Sequence, residues 1–234
     1  MQPEYLPVGY SWSDEDTDVE RWRGEDLPGS SKKNKDKFYA LYQKTSSRRD
    51  YLNKDVCLKL EEDFNRTHNY RNHEKANEQM NTKMLNMLLR YQGIMGDTGQ
   101  HGQLPRTVFN VLKSDFNCTC ECFASPLNHY YEDYCSPFAD TDAAFGSLGS
   151  FFDLEADHGC FEVNPPFYIR DDIVERHMLE LLKRGQGLCF IVIFPTPHFD
   201  GLRYVPALMC PVPPCTLPSF LPFPSFVVLI TSPF

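Results

Sequence analysis

The chain has 234 residues, of which 41% are hydrophobic and 24% charged, as is typical of a globular protein with one medium domain and extensions. Its net charge of −9 at pH 7 disfavours a protein that coats nucleic acid, although a local basic groove is compatible with it. No apolar run approaches the roughly 20 residues that cross a bilayer, and the nine cysteines without a signal peptide predict reduced thiols in a nuclear or cytosolic protein.

The N-terminal part combines acidic, basic and helical patterns. Residues 1–30 include the acidic cluster 13–20 and are predicted to be a disordered acidic tail. Residues 31–100 are predicted to be an α-helical region, and its apolar face at helical spacing indicates a buried core: Met80, Met84, Met87, Leu88 and Tyr91. The basic residues between 32 and 49 indicate either a solvated surface or a patch that contacts phosphates.

Strands and helices alternate over residues 101–205. A helix is predicted from Pro105 to about Asp115, another from about Asp171 to Arg184, and a buried strand over 188–195. Between them, residues 118–124 predict a strand with Cys118, Cys120 and Cys122 on one face. This order predicts an α/β fold.

The cysteines of that strand leave a zinc site as an alternative. However, C-x-C-x-C on a strand does not give the spacing of a zinc knuckle, so buried thiols are favoured and no metal is predicted.

The C-terminal residues 206–234 contain no charged residue and eight of the chain's 18 prolines. They are predicted to be a proline-rich, uncharged tail that does not continue the α/β pattern. The sheet would then have an open edge beyond the strand at 188–195.

The short sequence Asn164-Pro165-Pro166-Phe167 carries the chemistry. A conjugated primary amine becomes a better methyl acceptor when both N–H groups donate hydrogen bonds, and the Asn164 side-chain oxygen and the Pro165 carbonyl can accept them. The prolines fix the backbone, and Phe167 can stack on the base. The pattern is typical of S-adenosylmethionine-dependent amino-methyltransferases; the structural alternative is a Pro-Pro strand terminator.

Longer strings carry a specific resemblance. "ECFASPLN" (121–128), "YCSPFADTDAAFGSLG" (134–149), "GCFEVNPPF" (159–167) and "FIVIFP" (190–195) occur in this order. Over residues 80–195 the chain resembles the phosphorylated-CTD-interacting-factor family of cap-specific adenosine N6-methyltransferases.

The resemblance implies fold, reaction and partners. It implies a Rossmann-like methyltransferase domain, here C-terminally incomplete over 101–205, preceded by the α-helical region. It also implies methyl transfer from S-adenosylmethionine to N6 of the cap-adjacent 2′-O-methyladenosine of capped mRNA, in the nucleus. Asn164 to Phe167 match the catalytic positions, and the polar candidates for contact with the methyl donor, besides Asn164, are Ser125, Asn128, Asp140 and Asp142. Loop capping is the alternative role for these last four.

Departures from the family pattern bear on substrate and partner. The family's acidic residue two positions after the motif is Ile169 here, with Asp171 as a substitute candidate for substrate binding. Trp12 and Trp22 do not build the family's WW domain, which binds the tail of RNA polymerase II. Two alternatives keep the chemistry but act on DNA adenine or protein glutamine, and a third is a catalytically inactive RNA-binding or regulatory fragment.

Overall fold

The computed structural model describes residues 19–22, 38–43, 49–68, 73–95, 104–166, 169–195, 209–210 and 225–231. None of the helices in these ranges is long and apolar enough to span a membrane.

A small antiparallel sheet precedes the helices. Its strands are β1 (Val19–Trp22), β2 (Phe38–Gln43) and β3 (Arg49–Asn53), in the order β1-β2-β3. The predictions of a disordered segment at 19–22 and of helix at 38–53 are therefore wrong. Aromatic residues in β2 and β3 favour a pleated strand, and pairing with β1 supplies hydrogen bonds that a local helical pattern does not reveal.

Two helices follow the small sheet and share a core with it. They are α1 (Lys54–His68) and α2 (His73–Met95). The predicted methionine face is confirmed, since Met84 and Met87 are fully buried and pack with Leu41 of β2 and Leu60 of α1. This core also includes Phe145, so the two helices pack against the second half of the chain.

The main sheet contains four parallel strands with helices on both faces. The strands are β4 (Cys118–Glu121), β5 (Asp133–Tyr134), β6 (Gly159–Val163) and β7 (Leu188–Pro195), and the helices are α3 (Arg106–Phe116), α4 (Ala139–Asp142) and α5 (Asp171–Arg184). β5-β4-β6-β7 are neighbours in this order. The α/β class is confirmed, as are the helices and the strand predicted near 105, 171 and 188.

The two faces of this sheet pack against different helices. Cys120 and Cys122 share a core with Val174 and Met178 of α5, whereas Cys118 shares a core with Leu112 of α3. The prediction that all three cysteines lie on one face is wrong for Cys118. A register shift between Cys118 and Cys120, where β4 pairs with β6, breaks the simple alternation.

The edge beyond β7 is covered. Two strands from the uncharged segment, β8 (Met209–Cys210) and β9 (Ser225–Thr231), extend the sheet to β5-β4-β6-β7-β9-β8. β9 runs antiparallel to β7 from Ser225 opposite Pro195 to Thr231 opposite Cys189. The expectation of an open edge is therefore wrong, because the β-branched run in β9 supplies the missing ladder.

Candidate active site

The candidate site lies where the connections of the main sheet diverge. From β4 the chain moves outward to β5 and then returns to β6 on the other side of β4. Glu121 and Glu162 are opposite each other in the parallel β4–β6 pair, and Cys122 N–H donates to the Glu162 carbonyl at 2.8 Å. The loops that leave the carboxyl ends of β4 and β6 therefore start side by side, at the kind of crevice in which open α/β sheets bind ligands.

Asn164, Pro165 and Pro166 begin directly at the end of β6 and are half-buried. Ile169 N–H donates to the Pro166 carbonyl at 2.9 Å, which closes a turn before α5 begins at Asp171. Among the described residues, neither the Asn164 side chain nor the Pro165 carbonyl has a hydrogen-bond partner. Two acceptors are thus available at this edge of the sheet.

Phe167 and Asp171 are the two residues predicted to contact the substrate. Phe167 lies outside the described residues, so its stacking role stays a prediction. Asp171 is half-buried in the first turn of α5, one turn after Pro166 and at the same edge of the sheet. The geometry is compatible with the predicted role of Asp171 but does not test it.

Ser125 and Asn128 form a local cap in the loop after β4. The Asn128 Oδ1 atom accepts from the Ser125 backbone N–H at 2.9 Å and from the Ser125 hydroxyl at 2.7 Å. Ser125 is buried, whereas Asn128 is half-buried and its Nδ2 has no partner among the described residues. Asn128 can still donate to a ligand, while Ser125 serves mainly to shape the loop.

Asp140 and Asp142 are both held by α2. Asp142 is fully buried and accepts from the Tyr91 hydroxyl at 2.7 Å and from the Thr141 hydroxyl at 3.0 Å. Burial raises the pKa of Asp142, and the Tyr91 hydrogen bond opposes that rise. Asp140 is exposed and pairs with Arg90. A fully buried carboxylate does not reach a ligand without rearrangement, so the structure argues against donor contact by Asp142.

Glu121 was not identified from the sequence, although it is central to the loop after β4. Its Oε1 atom accepts from the backbone N–H groups of Tyr130 and Tyr131, at 2.6 and 2.8 Å. Burial raises the pKa of Glu121 to about 7, against the effect of these two bonds. The sequence did contain a signal for Glu121, since it is the one acidic residue in the strand predicted over residues 118–124.

Glu162 faces Glu121 from the neighbouring strand. Both side chains lie on the α3 side of the sheet, and Glu162 is 2% exposed. Burial is the main reason why the pKa of Glu162 lies well above its usual value, and the nearby Glu121 charge raises it further. Both effects favour the neutral form of the Glu162 carboxyl, which lessens the cost of placing two acidic side chains side by side.

Helix α1 holds the same loop from outside. His129 Nε2 lies 2.8 Å from Asp63 Oδ2, and His129 Nδ1 lies 2.7 Å from the Tyr131 carbonyl. Lys59 also donates to the His129 carbonyl. Since a carboxylate and a carbonyl are both acceptors, the two ring bonds form together only when both ring nitrogens carry hydrogen. In the part of the chain that the structure describes, no cluster of three or more metal-ligating side chains is found.

These features define the chain as an α/β protein with a candidate ligand site at the carboxyl edge of a largely parallel sheet. A family model described as "Phosphorylated CTD interacting factor 1 WW domain" matches residues 59–205. Because this match spans more than half of the chain, the chain belongs to the phosphorylated CTD interacting factor 1 family. The matched range follows both tryptophans and runs from α1 through β7.

Two curated relatives are similar to the same part of the chain. The proteins named mRNA (2′-O-methyladenosine-N(6)-)-methyltransferase from Mus musculus and from Homo sapiens are each 43% identical to it over 116 residues. The match covers 47% of this chain and 16% of each relative. The chain therefore spans a small part of the length of these relatives.

Proposed function

We propose that this chain transfers a methyl group from S-adenosylmethionine to N6 of the cap-adjacent 2′-O-methyladenosine of capped mRNA. The observation that carries the proposal is the position of Asn164 and Pro165, whose acceptor groups have no partner among the described residues, at the divergence point of the sheet. The names of the two relatives support the choice of substrate. A Rossmann-like methyltransferase domain is the corresponding fold proposal.

The residues at the end of β6 suit an amine with two N–H groups. The Asn164 side-chain oxygen accepts from one N–H and the Pro165 carbonyl from the other, which favours a pyramidal nitrogen with an available lone pair. Pro166 fixes its φ angle, and its carbonyl is anchored by Ile169 N–H, so the Pro165 carbonyl is held in place. Phe167 is proposed to stack on the adenine ring.

The methyl donor is proposed to bind at the same edge of the sheet, because polar groups without a partner among the described residues remain there. The Asn164 side chain and the Asn128 Nδ2 atom lie on the loops that leave β6 and β4. Bound between these loops, S-adenosylmethionine would supply the methyl group. Glu121 and the Ser125–Asn128 cap would keep the β4 loop in shape, with Asp140 exposed at its rim.

Capped mRNA is the proposed partner and the nucleus the proposed location, since both follow from the proposed substrate. The family description names a WW domain, and Trp22 lies in β1 of the small antiparallel sheet. Neither observation assigns a contact with the polymerase tail to this chain.

The test is methylation of a short capped RNA that begins with 2′-O-methyladenosine, with isotope-labelled S-adenosylmethionine as donor. We expect label on N6, and we expect Asn164→Ala to reduce its rate by at least 100-fold while RNA binding changes little. Asn65→Ala is the matched control, because Asn65 is exposed on α1. Undiminished methylation by Asn164→Ala would refute the mechanism.

A second candidate is an inactive RNA-binding or regulatory fragment. The fragment is favoured by three polar contacts that already engage the predicted donor-binding residues. Asp142 is buried against Tyr91, Ser125 and Asn128 bond to each other, and Asp140 pairs with Arg90. Calorimetry with S-adenosylhomocysteine separates the two candidates. Binding that Asn164→Ala weakens supports the methyltransferase, whereas RNA binding without any donor binding supports the fragment.

A further inference from the structure

Three cysteines form a row on the α3 face of the main sheet. Cys118 in β4 is opposite Cys160 in β6, and Cys160 is opposite Cys189 in β7. In a parallel sheet, residues in register lie on neighbouring strands about 4.8 Å apart. That separation is within the range of Cα distances that a disulfide spans.

Cys160 and Cys189 are the closest pair of this row. Their Sγ atoms lie 3.3 Å apart, with the Cys160 thiol donating to the Cys189 sulfur. Both are free thiols. Cys160 is 7% exposed, whereas Cys189 is half-buried, so a small reagent reaches Cys189 first.

The environment makes Cys189 the reactive partner. The hydrogen bond from Cys160 lowers the pKa of the Cys189 thiol, although burial works in the other direction. Hydrogen bonds with Cys118 and with Cys189, together with burial, raise the pKa of Cys160. A thiolate is the nucleophilic form of cysteine, so Cys189 attacks and Cys160 resolves.

We propose that Cys160 and Cys189 are an oxidation site, at which a peroxide converts the two thiols into an intrachain disulfide between β6 and β7. First, the Cys189 thiolate attacks one peroxide oxygen, the O–O bond breaks, and Cys189 becomes a sulfenic acid while hydroxide leaves. Next, the Cys160 sulfur attacks the Cys189 sulfur, the S–O bond breaks, and a second hydroxide leaves. Those two hydroxides take up the two thiol protons, so two thiols and one hydrogen peroxide give one disulfide and two waters.

The cysteines of β4 and of the segments that follow β4 and β5 are poor competitors. Cys118 is fully buried, and Cys120, Cys122 and Cys135 are buried on or near the opposite, α5-facing side. Burial raises the pKa of Cys122, and a hydrogen bond to Cys135 together with burial raises that of Cys120. Burial therefore shields all four thiols from a dissolved oxidant.

The disulfide would join β6, which leads into the candidate active site, to its neighbour β7. Cys160 lies in β6, four residues before Asn164, which directly follows that strand. Cys189 lies in the neighbouring strand β7. Oxidation would tie these strands covalently and is reversed by a dithiol reductant. The proposal rests on the geometry and the environment of the two thiols and holds whether or not the chain is a methyltransferase.

The test uses the full chain, treated with a small excess of hydrogen peroxide, alkylated without reduction, and cut by trypsin and a glutamate-specific protease. This digestion places Cys160 alone in 156–162 and Cys189 alone in 185–203. We expect these two peptides to be linked, with loss of two hydrogen atoms, and to separate after reduction. In the Cys160→Ser variant we expect Cys189 to remain as a sulfenic acid that a dimedone probe traps.

Cys57→Ser is the matched control, because Cys57 is buried in α1 among a different set of side chains. It should leave the cross-link unchanged. Reduced peptides after peroxide treatment would overturn the proposal. A link from Cys160 to Cys118, or a sulfinic acid on Cys189 without any link, would also overturn it.

Discussion

Replacing Glu121 by Gln removes a buried charge while keeping its hydrogen bonds. The N–H groups of both Tyr130 and Tyr131 donate to the same atom, Oε1, and the amide oxygen of Gln can take that position. Burial raises the pKa of Glu121 from 4.5 to about 7. Between these values the folded chain keeps a proton on this carboxyl that the unfolded chain has released.

This proton difference sets the sign and size of the effect. Because the folded state binds more protons than the unfolded state, the free energy of unfolding falls as the pH rises from 4.5 to about 7. A pKa displaced over this range corresponds to about 3 kcal/mol. The attraction between Glu121 and Lys59 is already included in this pKa, and part of the effect is already present at pH 5. We therefore expect Glu121→Gln to gain about 2 kcal/mol relative to the parent chain between pH 5 and pH 8.

Urea denaturation followed by circular dichroism at pH 5, 6, 7 and 8 measures this gain. Asp142 also has a raised pKa, but it is present in both chains and its contribution cancels. The Glu121 charge raises the pKa of Glu162, so removing that charge favours the variant in the same direction. Glu121→Ala is the contrasting variant: it leaves the N–H groups of Tyr130 and Tyr131 without an acceptor and should be less stable than Glu121→Gln by about 1–3 kcal/mol at every pH. Equal pH dependence in the parent and Glu121→Gln would refute the reasoning.

Three further changes test other parts of the structure. Tyr91→Phe removes the hydroxyl that donates to buried Asp142, and urea denaturation should show a loss of about 1–3 kcal/mol. Met84→Ala empties a fully buried position between the helices and should cost about 2–5 kcal/mol in the same assay. Removal of residues 225–234 uncovers the edge of β7, so size-exclusion chromatography should show aggregates where the full chain elutes as one species.

Sequence patterns predicted the helices with a clear amphipathic period and the strand formed by a continuous apolar run. α5 and β7 match their predicted ranges, because an amphipathic period and an apolar run each specify one element without distant partners. β2 and β3 were missed because their stability comes from pairing with each other and with β1. β9 had a clear local signal, but the surrounding prolines and the uncharged composition obscured it.

The candidate site was predicted where chemistry is local and missed where it is not. The Asn164-Pro165-Pro166-Phe167 motif carries its own acceptors, so a role for it could be proposed from four consecutive residues. The roles of Glu121 and Glu162 depend on their lying opposite each other in the β4–β6 pair, a pairing of distant segments that the sequence does not reveal. Asp142 was predicted to contact the methyl donor because its hydrogen-bond partner could not be recognised from the sequence. That partner, Tyr91, lies 51 residues away in the chain.

The loop after β4 lacks the glycines with which many α/β proteins shape a ligand loop, and the structure indicates what replaces them. Glu121 fixes Tyr130 and Tyr131 from inside the sheet, and Asp63 of α1 fixes His129 from outside. These side chains impose a loop shape that glycine would otherwise permit through its φ freedom. The helices that precede the main sheet are therefore part of the proposed donor site, and a fragment without α1 would leave His129 without its carboxylate partner.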